Sequence, residues 1–414
     1  MQNNNRGGFR RQNRGPKRQF VSRKSQPNFS RPMGHKNGQQ FFNPEELCRN
    51  SQSLATETTN FCAQKPVKIN NRFEDFKLAE EIFNNLRKNN YELPMPIQDQ
   101  TIPLIMTGKD VIGIANTGTG KTAAFLLPLI NKVFNDKNRS QKVLIVSPTR
   151  ELAFQIRNEF EKFADRLGLR SILAIGGVNI THQIKQLGKP FDFIIGTPGR
   201  IIDLSNQKKL NLGGFKNIVL DEVDQMLDMG FIHDVRRIIA LLATERQSLF
   251  FSATMDRKTE EIAQSFLTRP VIIDVKIKET SQNVEQKIVK LKGRTKRDIL
   301  NEILRAERCQ KTLVFARTKH GADKVARNLT DQGFRVGAIH GNKTQNYRLK
   351  MLDLFKKDQI QILVATDVAS RGLDIKNISH VINYDLPASK EDYIHRIGRT
   401  GRAEERGMAI SLIE

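Results

Sequence analysis

The stretch ANTGTGKT at residues 115–122 decides the fold of this chain, because it joins an apolar, strand-like run to helix-like sequence. The apolar run spans residues 110–115, and the helix-like sequence begins near Thr122. Glycines at such a junction let backbone N–H groups turn inward around phosphate oxygens, and the N-terminus of the following helix adds favourable partial charge. The sequence therefore predicts a phosphate-binding loop, with alanine in place of the usual first glycine. We expect Lys121 to reach the β- and γ-phosphates of a nucleotide, and the Thr122 hydroxyl to ligate Mg²⁺.

A pair of carboxylates follows a second apolar run, in the stretch NIVLDEVD at residues 217–224. An apolar strand that ends in adjacent carboxylates matches the metal-side partner of a phosphate-binding loop. Asp221 would hold Mg²⁺ through water, and Glu222 would orient and deprotonate an attacking water. An acidic strand end can also be an ordinary solvated turn, but the loop upstream favours the functional interpretation.

From about residue 71 onward, short apolar runs alternate with helix-length segments. Strands without polar alternation, separated in this way, indicate parallel sheets that are covered on both faces. The series is too long for one core, so we predict two doubly wound α/β domains at residues 71–275 and 276–414. The polar stretch 276–283 is the predicted linker. The predicted strands are Asp110–Ala115, Lys142–Pro148, Ser171–Gly177, Asp192–Pro198, Asn217–Glu222, Ser248–Thr254, Thr312–Arg317, Arg335–Gly341, Gln361–Asp367, His380–Leu386 and Met408–Ile413.

The chain is strongly basic, with 68 Lys and Arg against 44 Asp and Glu and a formal charge of +24. Ten of the basic residues and no acidic residue lie in residues 1–44. Such a segment buries too little apolar surface to fold, so residues 1–70 are predicted to be a disordered basic tail and linker. Phe9, Phe20 and Phe29 lie among its arginines, a pattern that suits RNA phosphates and unpaired bases. A solubility surplus, a solvated tail without a role, a mitochondrial transit peptide and a membrane-surface contact are the alternatives.

Several classes of protein are excluded by composition. No run of 18 apolar residues exists that could span a bilayer, and the N-terminus lacks the apolar core of a secretory signal. Cys48, Cys62 and Cys309 are too few and too far apart for a disulfide framework or a CxxC-type zinc site. We therefore expect a protein of a reducing compartment, the cytoplasm.

The stretch DEVD at residues 221–224 resembles the defining motif of DEAD-box RNA helicases, with valine at the third position. The resemblance extends over residues 73–413, where further family motifs follow in the family's order. MGFIHDVRR at 229–237, RTKHGA at 317–322 and HGNK at 340–343 are closest to the bacterial RhlE-type subgroup.

This resemblance assigns roles to individual residues. The stretch YELPMPIQ at residues 91–98 resembles the family's adenine-reading motif, in which Gln98 pairs with adenine and Phe73 stacks on it. The nucleotide-binding residues are Phe73, Gln98, Ala115, Asn116, Thr117, Gly118, Thr119, Gly120, Lys121, Thr122 and Asp374. The catalytic residues are Lys121, Asp221, Glu222 and the arginine fingers Arg399 and Arg402. The RNA-binding residues are Pro148, Thr149, Arg150, Gly177, Thr197, Gly199, Arg200, Arg317, Gln345, Arg348 and Thr366. Ser252, Thr254 and His395 couple hydrolysis to unwinding.

The resemblance implies two tandem RecA-like domains with parallel sheets, preceded by the disordered basic tail. It also implies a monomeric enzyme that uses ATP and Mg²⁺, grips RNA through its backbone and couples ATP hydrolysis to local duplex unwinding or ribonucleoprotein remodelling. Ribosome-assembly or RNA-turnover proteins are its expected partners. Two other functions share these motifs: an ATP-gated RNA clamp or scaffold with little unwinding, and a DNA helicase, against which the adenine-reading motif and DEVD argue.

Overall fold

The computed structural model describes residues 69–116, 118–275, 284–306, 309–370, 375, 377–401 and 406–414. Nearly all of the predicted basic tail and the whole predicted linker lie outside these residues. Three predicted site residues, Thr117, Asp374 and Arg402, lie outside them as well.

The first sheet has seven parallel strands in the order β3-β4-β2-β5-β6-β1-β7. The strand β1, which leads into the predicted phosphate-binding loop, pairs with β6 and β7 on its two sides, and Val111 is opposite Leu249 and Val271. The strands are β1 (Val111–Ile114), β2 (Val143–Val146), β3 (Ser171–Ala174), β4 (Phe193–Gly196), β5 (Asn217–Leu220), β6 (Gln247–Ser252) and β7 (Val271–Asp274).

Helices cover both faces of this sheet. They are α1 (Glu80–Lys88), α2 (Pro96–Met106), α3 (Lys121–Phe134), α4 (Arg150–Phe163), α5 (Ile180–Leu187), α6 (Pro198–Asn206), α7 (Val223–Asp228), α8 (Ile232–Leu241) and α9 (Arg257–Phe266). Short 3₁₀ turns lie at Phe73–Phe76 and Leu212–Gly214.

The second sheet has six parallel strands in the order β10-β11-β9-β12-β13-β8. The strands are β8 (Val284–Lys290), β9 (Thr312–Phe315), β10 (Val336–Ile339), β11 (Ile362–Ala365), β12 (His380–Asn383) and β13 (Gly407–Ile413). The helices are α10 (Lys296–Ala306), α11 (Lys319–Asp331), α12 (Gln345–Lys356), α13 (Asp367–Ser370) and α14 (Lys390–Ile397).

The cores form because successive side chains of a central strand point to opposite faces of the sheet. In β2, Val143 and Ile145 enter one core cluster, while Leu144 and Val146 enter the other, and all four are fully buried. Full burial of one such aliphatic side chain contributes roughly 1.5–3 kcal/mol. The continuous apolar runs seen in the sequence are therefore strands that are buried on both faces.

The predicted class of two α/β domains with parallel sheets is confirmed, and each of the eleven predicted runs overlaps a strand. The sequence prediction missed β7 and β8, which are both edge strands. Ile272 in β7 is 61% exposed, and β8 carries the polar sequence VEQKIVK. An edge strand is covered less than a central one, so its sequence lacks the apolar run that marked the others. Among the described residues, no helix has both the length and the apolar character needed to cross a membrane.

Candidate functional site

The predicted motifs of the first domain follow the carboxyl ends of its strands. Ala115 follows β1, Thr197 follows β4, Asp221 follows β5, and Ser252 ends β6. Parallel strands bring their carboxyl ends to one edge of the sheet, which is where open α/β sheets bind ligands. The structure therefore gathers motifs that are up to 137 residues apart in the chain at one edge.

The predicted phosphate-binding loop has the backbone that its glycines allow. Gly118 and Gly120 have φ values of 85° and 86°, in the left-handed region that glycine enters without steric cost. A Cβ atom on Gly120 would lie 2.3 Å from Nε2 of Gln98, which itself donates to the Gly120 carbonyl oxygen at 3.0 Å. The side chain expected to read adenine is thus hydrogen-bonded to the loop expected to hold phosphate.

Lys121, the first residue of α3, is buried and only 6% exposed. Its Nζ donates to the carbonyl oxygen of Ala115 at 2.8 Å, across the base of the loop. Thr119 closes the loop from the other side by donating from Oγ1 to the carbonyl oxygen of Asn116 at 2.7 Å. The ammonium is thereby held at the N-terminus of α3, whose partial positive charge favours a bound phosphate.

Phe73 lies in the apolar core beside this loop. Its side chain is 2% exposed and makes edge-on ring contacts with Phe76 and Tyr91, at centroid distances of 5.9 and 6.4 Å. The structure therefore holds this ring in the core, away from solvent, and the stacking on adenine stays a prediction.

The adjacent carboxylates Asp221 and Glu222 are both buried, at 2% and 3% exposure. Burial, with the neighbouring charge of Glu222, raises the pKa of Asp221 to about 7, while the ammonium of Lys121 opposes the rise. Glu222 has φ +50°, a left-handed conformation that is uncommon for a residue with a side chain. Such strain is typical of functional sites.

One oxygen of the Asp221 carboxylate has the surroundings of a metal ligand. Its Oδ1 is buried and accepts no hydrogen bond from the described residues. Within the same part of the chain, no group of three His, Cys, Asp or Glu side chains could hold a metal ion alone. Mg²⁺ commonly binds through one or two carboxylates plus water and substrate phosphates, so this donor set suits Mg²⁺ bound together with a nucleotide.

Asp224, the last residue of DEVD, connects two motifs, which the sequence prediction did not foresee. Its Oδ2 accepts hydrogen bonds from the backbone N–H groups of Ala253 and Thr254 at 3.1 and 2.9 Å, and from the Thr254 hydroxyl at 3.1 Å. Ser252, one residue earlier, is fully buried. The predicted coupling segment is therefore attached directly to the helix that follows the carboxylate pair.

Arg150 packs across a pair of glycines at the end of β3. A Cβ atom on Gly177 would lie 2.0 Å from Nη1 of Arg150, and one on Gly176 would lie 3.1 Å from Nη2. Gly177 also has φ +76°. Thr149 caps α4 by accepting a hydrogen bond from the Leu152 backbone at 3.2 Å. A side chain at Gly177 would therefore meet both an unfavourable backbone conformation and the Arg150 guanidinium, which would have to move.

Arg200 lies on α6, close to the residues just described. Its Nη1 donates to Oε1 of Gln183 at 3.0 Å, and Gln183 in turn donates to the carbonyl oxygen of Ile175. Thr197 is the N-cap residue of the same helix, and Gly199 is exposed in its first turn. Polar side chains thus orient Arg200 while part of its surface remains open to solvent.

In the second domain, Arg396 forms a buried network that the sequence prediction also missed. It donates to the two carboxylate oxygens of Asp367 at 2.5 and 2.7 Å, and to Oδ1 of Asn383 at 3.0 Å. Its guanidinium lies 4.7 Å from the ring centroid of Phe315. Asp367 follows the predicted RNA contact Thr366, and α14, which carries Arg396, leads into the predicted arginine finger Arg399, which is buried. The network joins these two motifs.

Glu151 of the first domain contacts α12 of the second domain. Gln345 donates from Nε2 to Oε1 of Glu151 at 2.8 Å, and Arg348 donates from Nη2 to its Oε2 at 3.0 Å. All three side chains are buried. Two predicted RNA-binding residues are therefore joined to the residue that follows Arg150.

Three other predicted residues have less defined surroundings. The side chain of Arg317 is exposed, while its backbone N–H donates to Oδ2 of Asp385 at 3.0 Å. His395 is half-buried in the last turn of α14, and Pro148 is buried after β2.

Two family models match the chain. The model described as DEAD/DEAH box helicase matches residues 95–262, and the model described as Helicase conserved C-terminal domain matches residues 295–404.

Several curated proteins are similar over the folded part of the chain. An ATP-dependent RNA helicase CshA of Listeria monocytogenes is 44% identical over 83% of this chain and 66% of its own length. DEAD-box ATP-dependent RNA helicases CshA of Geobacillus kaustophilus and Bacillus subtilis are 44% and 42% identical, each over 82% of this chain and over 73% and 69% of their own lengths. The chain thus spans about two thirds of the length of these relatives, and slightly less for the Listeria protein. Their name is CshA, so the RhlE-type subgroup is not confirmed.

A solved structure is also similar. Dbp5 of S. cerevisiae bound to RNA and ADP BeF3 matches with a TM-score of 0.72 and 28% identity, over 83% of this chain and 89% of that chain. A variant of the same protein with the same ligands gives a TM-score of 0.73. The similarity therefore extends over both parallel-sheet domains, each of the RecA-like type.

Proposed function

Because this chain belongs to the DEAD-box family of ATP-dependent RNA helicases, we propose that it hydrolyses ATP when RNA is bound and uses the hydrolysis cycle to open short RNA duplexes or remodel ribonucleoproteins. The observation that carries the proposal is the buried edge of the first sheet. There the ammonium of Lys121 favours the ionised form of Asp221, although burial raises the pKa of Asp221. A buried ammonium and a carboxylate with an unpaired oxygen, both at the carboxyl ends of parallel strands, suit a nucleoside triphosphate with its metal ion.

In this proposal, the nucleotide is held mainly by the first domain. Lys121 releases the Ala115 carbonyl oxygen and pairs with the β- and γ-phosphates, while the backbone N–H groups of the loop surround the phosphate oxygens. Gln98 exchanges its bond to Gly120 for the adenine edge. Asp374 of the second domain would contact the ribose.

Asp221 and the Thr122 hydroxyl would hold Mg²⁺, the first partly through water. When bound, Mg²⁺ supplies positive charge that stabilises the phosphate oxygens during transfer. Glu222 then orients a water and accepts its proton, while Arg399 and Arg402 approach the γ-phosphate from the second domain. Arginine fingers contribute about 10³- to 10⁵-fold in rate in related reactions.

The RNA strand is gripped through its phosphates, which carry no sequence information. Arg150, Arg200 and Thr366 are the proposed central contacts, with Pro148, Thr149, Gly177, Thr197, Gly199, Arg317, Gln345 and Arg348 lining the same path. Ser252, Thr254 and His395 would transmit the state of the nucleotide to this grip. The hydrogen bonds from Ala253 and Thr254 to Asp224 support that connection, since they join the coupling segment to DEVD.

The proposal is tested by measuring ATP hydrolysis with and without single-stranded RNA. We expect RNA to raise the turnover rate, and single-stranded DNA of equal length to raise it much less. A rate that RNA leaves unchanged would contradict the proposal, and equal stimulation by DNA would favour the DNA helicase alternative.

An ATP-gated RNA clamp or scaffold is the second candidate function. The buried contact between Glu151 and α12 favours considering it, because a stable contact between the domains would prolong RNA binding. A strand-displacement assay on a short RNA duplex separates the two functions, because a clamp leaves the duplex intact while a helicase releases the labelled strand.

The proposal extends to the domain boundaries, the oligomeric state and the partners. We propose the tail and linker 1–70 and domains at 71–275 and 276–414, a cytoplasmic monomer, and partners in ribosome assembly or RNA turnover. Three stretches at 229–237, 317–322 and 340–343 support the RhlE-type subgroup, whereas the relatives carry the name CshA.

Removal of residues 1–44 should weaken RNA binding and flatten its salt dependence, because fewer counterions are released. An unchanged salt slope would exclude the tail as an RNA contact.

A further inference from the structure

Tyr347, in the first turn of α12, is an exposed aromatic side chain. It is 38% exposed, and it is the one aromatic member of the large apolar side chains that stay exposed in the described part of the chain. Most other aromatic rings of the second domain are buried, including those of Phe315, Phe355 and Tyr393. An exposed ring keeps a face that another planar group can cover.

Two lysines flank this ring. Nζ of Lys343 lies 5.2 Å from the ring centroid, and Lys350 is exposed three residues later on the same helix. Residues three apart share one face of a helix, so Lys350 lies on the same face of α12 as Tyr347, while Lys343 reaches the ring from the loop before the helix. We call Lys343, Tyr347 and Lys350 the Tyr347 patch.

The loop before α12 holds the first lysine in place. Lys343 is paired with Asp323 of α11 at 2.9 Å, and its backbone N–H donates to the carbonyl oxygen of His340 at 3.0 Å. Lys319 donates to Oδ1 of Asn342 at 3.1 Å and connects the loop to α11 a second time. Because the patch is ordered in advance, binding a ligand costs little additional side-chain entropy.

The patch lies beside two proposed RNA contacts. Tyr347 lies between Gln345 and Arg348 in the sequence of α12, and both of these contact Glu151, the neighbour of Arg150. Gln345 and Arg348 are buried while Tyr347 is exposed, so the patch faces outward from the same helical turns. Tyr347 is therefore an exposed residue on the helix that carries two proposed RNA contacts.

We propose that the Tyr347 patch binds an unpaired base of the RNA strand, with the base stacked on the ring that Lys343 supports and the neighbouring phosphates attracted by Lys350. Successive stacking and phosphate attraction is how proteins hold single strands without reading their sequence. The patch therefore adds a base contact to a grip that is otherwise directed at the backbone. This inference rests on the proposed function.

The test compares the full-length wild type with Tyr347→Ala and Tyr347→Phe in binding to two fluorescent strands of equal length. One strand is oligoadenylate RNA, and the other is an abasic RNA, which has the same phosphates and no bases. Tyr347→Ala should bind oligoadenylate about fivefold more weakly, the lower end of stacking effects, because Lys343 already covers part of the ring. Tyr347→Phe should stay within about twofold of the wild type. On the abasic strand, all three proteins should bind equally.

Lysine variants test the charge contribution separately. Lys350→Ala should lower the slope of log affinity against log salt by about 1, as expected for one lost phosphate contact. Lys357→Ala is the matched control, because this exposed lysine of the same region is already paired with Asp353 at 2.9 Å, and its loss should leave the slope unchanged. Equal slopes for Lys350→Ala and the wild type would remove Lys350 from the patch.

The outcomes separate the patch from the proposed function. If the wild type binds oligoadenylate and Tyr347→Ala binds it equally well, the proposed base contact is wrong and the proposed function stands. An equal loss on both strands overturns base stacking, because it shows a structural effect on the loop. Failure of the wild type to bind RNA overturns both.

Discussion

Arg348 donates to Glu151 at 3.0 Å between two side chains that are both buried and that belong to different domains. Gln345 donates to the other oxygen of the same carboxylate at 2.8 Å. Burying charges costs several kcal/mol unless geometry and hydrogen bonds compensate, so either partner left alone is strongly unfavourable. Any state in which the domains separate must therefore return these groups to water.

We predict that Glu151→Ala and Arg348→Ala each lower RNA-stimulated ATP turnover, because each leaves an uncompensated buried group between the domains. In a double-mutant cycle, the two effects should be non-additive by at least about 1 kcal/mol. The turnover rate at saturating ATP and RNA is the measurement.

The matched control for this cycle is the pair Lys162 and Glu159 on α4. These side chains are 2.6 Å apart, but they are partly exposed and lie within one helix. Exposed pairs of this kind contribute at most about 0–1 kcal/mol, so their cycle should show little coupling. Similar coupling in the two cycles would mean that the contact between the domains has no special role.

We predict that Glu222→Gln lowers kcat for ATP hydrolysis by at least about 100-fold, because an amide accepts no proton from the attacking water. ATP binding, measured by equilibrium dialysis, should change little, since Lys121 and the loop remain. Glu245→Gln, an exposed carboxylate on a loop, is the control and should turn over like the wild type. Normal hydrolysis by Glu222→Gln would remove Glu222 as the general base.

We predict that Gly177→Ala weakens RNA binding at least about fivefold, because the new Cβ would lie 2.0 Å from Nη1 of Arg150 and displace its guanidinium. The affinity should approach that of Arg150→Ala. Backbone strain is controlled by Gly108→Ala, since Gly108 has a similar φ of 80° but no atom within 4 Å of the added Cβ. That control should lose about 1 kcal/mol of stability and keep its RNA affinity. Equal RNA affinities for Gly177→Ala and Gly108→Ala would show that Gly177 does not position Arg150.

We predict that Asp385→Asn lowers the free energy of unfolding at pH 7 by about 1 kcal/mol, since charge-assisted hydrogen bonds are lost. Burial opposes ionisation of Asp385, but hydrogen bonds from the Arg317 backbone and from Lys296 outweigh it and lower its pKa from the usual 3.8. A lowered pKa stabilises the folded state above the unfolded value, and this contribution is lost as pH falls through the folded value.

The difference in stability between wild type and Asp385→Asn should therefore be constant above about pH 5 and shrink below about pH 4. Denaturant unfolding at a series of pH values measures it. Asp331→Asn, which removes an exposed carboxylate on α11, is the control for the loss of one negative charge. A difference that persists unchanged at pH 3 would mean that the charge of Asp385 is not its cause.

Much of the candidate site could be predicted from the sequence, because its chemistry is local. The spacing of Gly118, Gly120 and Lys121 predicts a tight loop before a helix, and the structure has positive φ values at both glycines. Both the sequence prediction and the structure place Asp221 and Glu222 directly after a buried strand. The contacts of Asp224, Arg396 and Glu151 could not be predicted, because each joins segments at least 29 residues apart.

The sequence by itself determined two parallel-sheet domains, since a strand buried on both faces needs a continuous apolar run wherever it lies in the chain. It also determined the glycine-rich loop before α3 and the adjacent carboxylates after β5, whose local geometry is set within a few residues. Only the tertiary structure decided the strand order, the polar edge strands β7 and β8, and the burial of Glu151 against Gln345 and Arg348. Burial and hydrogen bonds between distant residues depend on which groups the fold brings into contact. The local sequence around each residue does not specify those contacts.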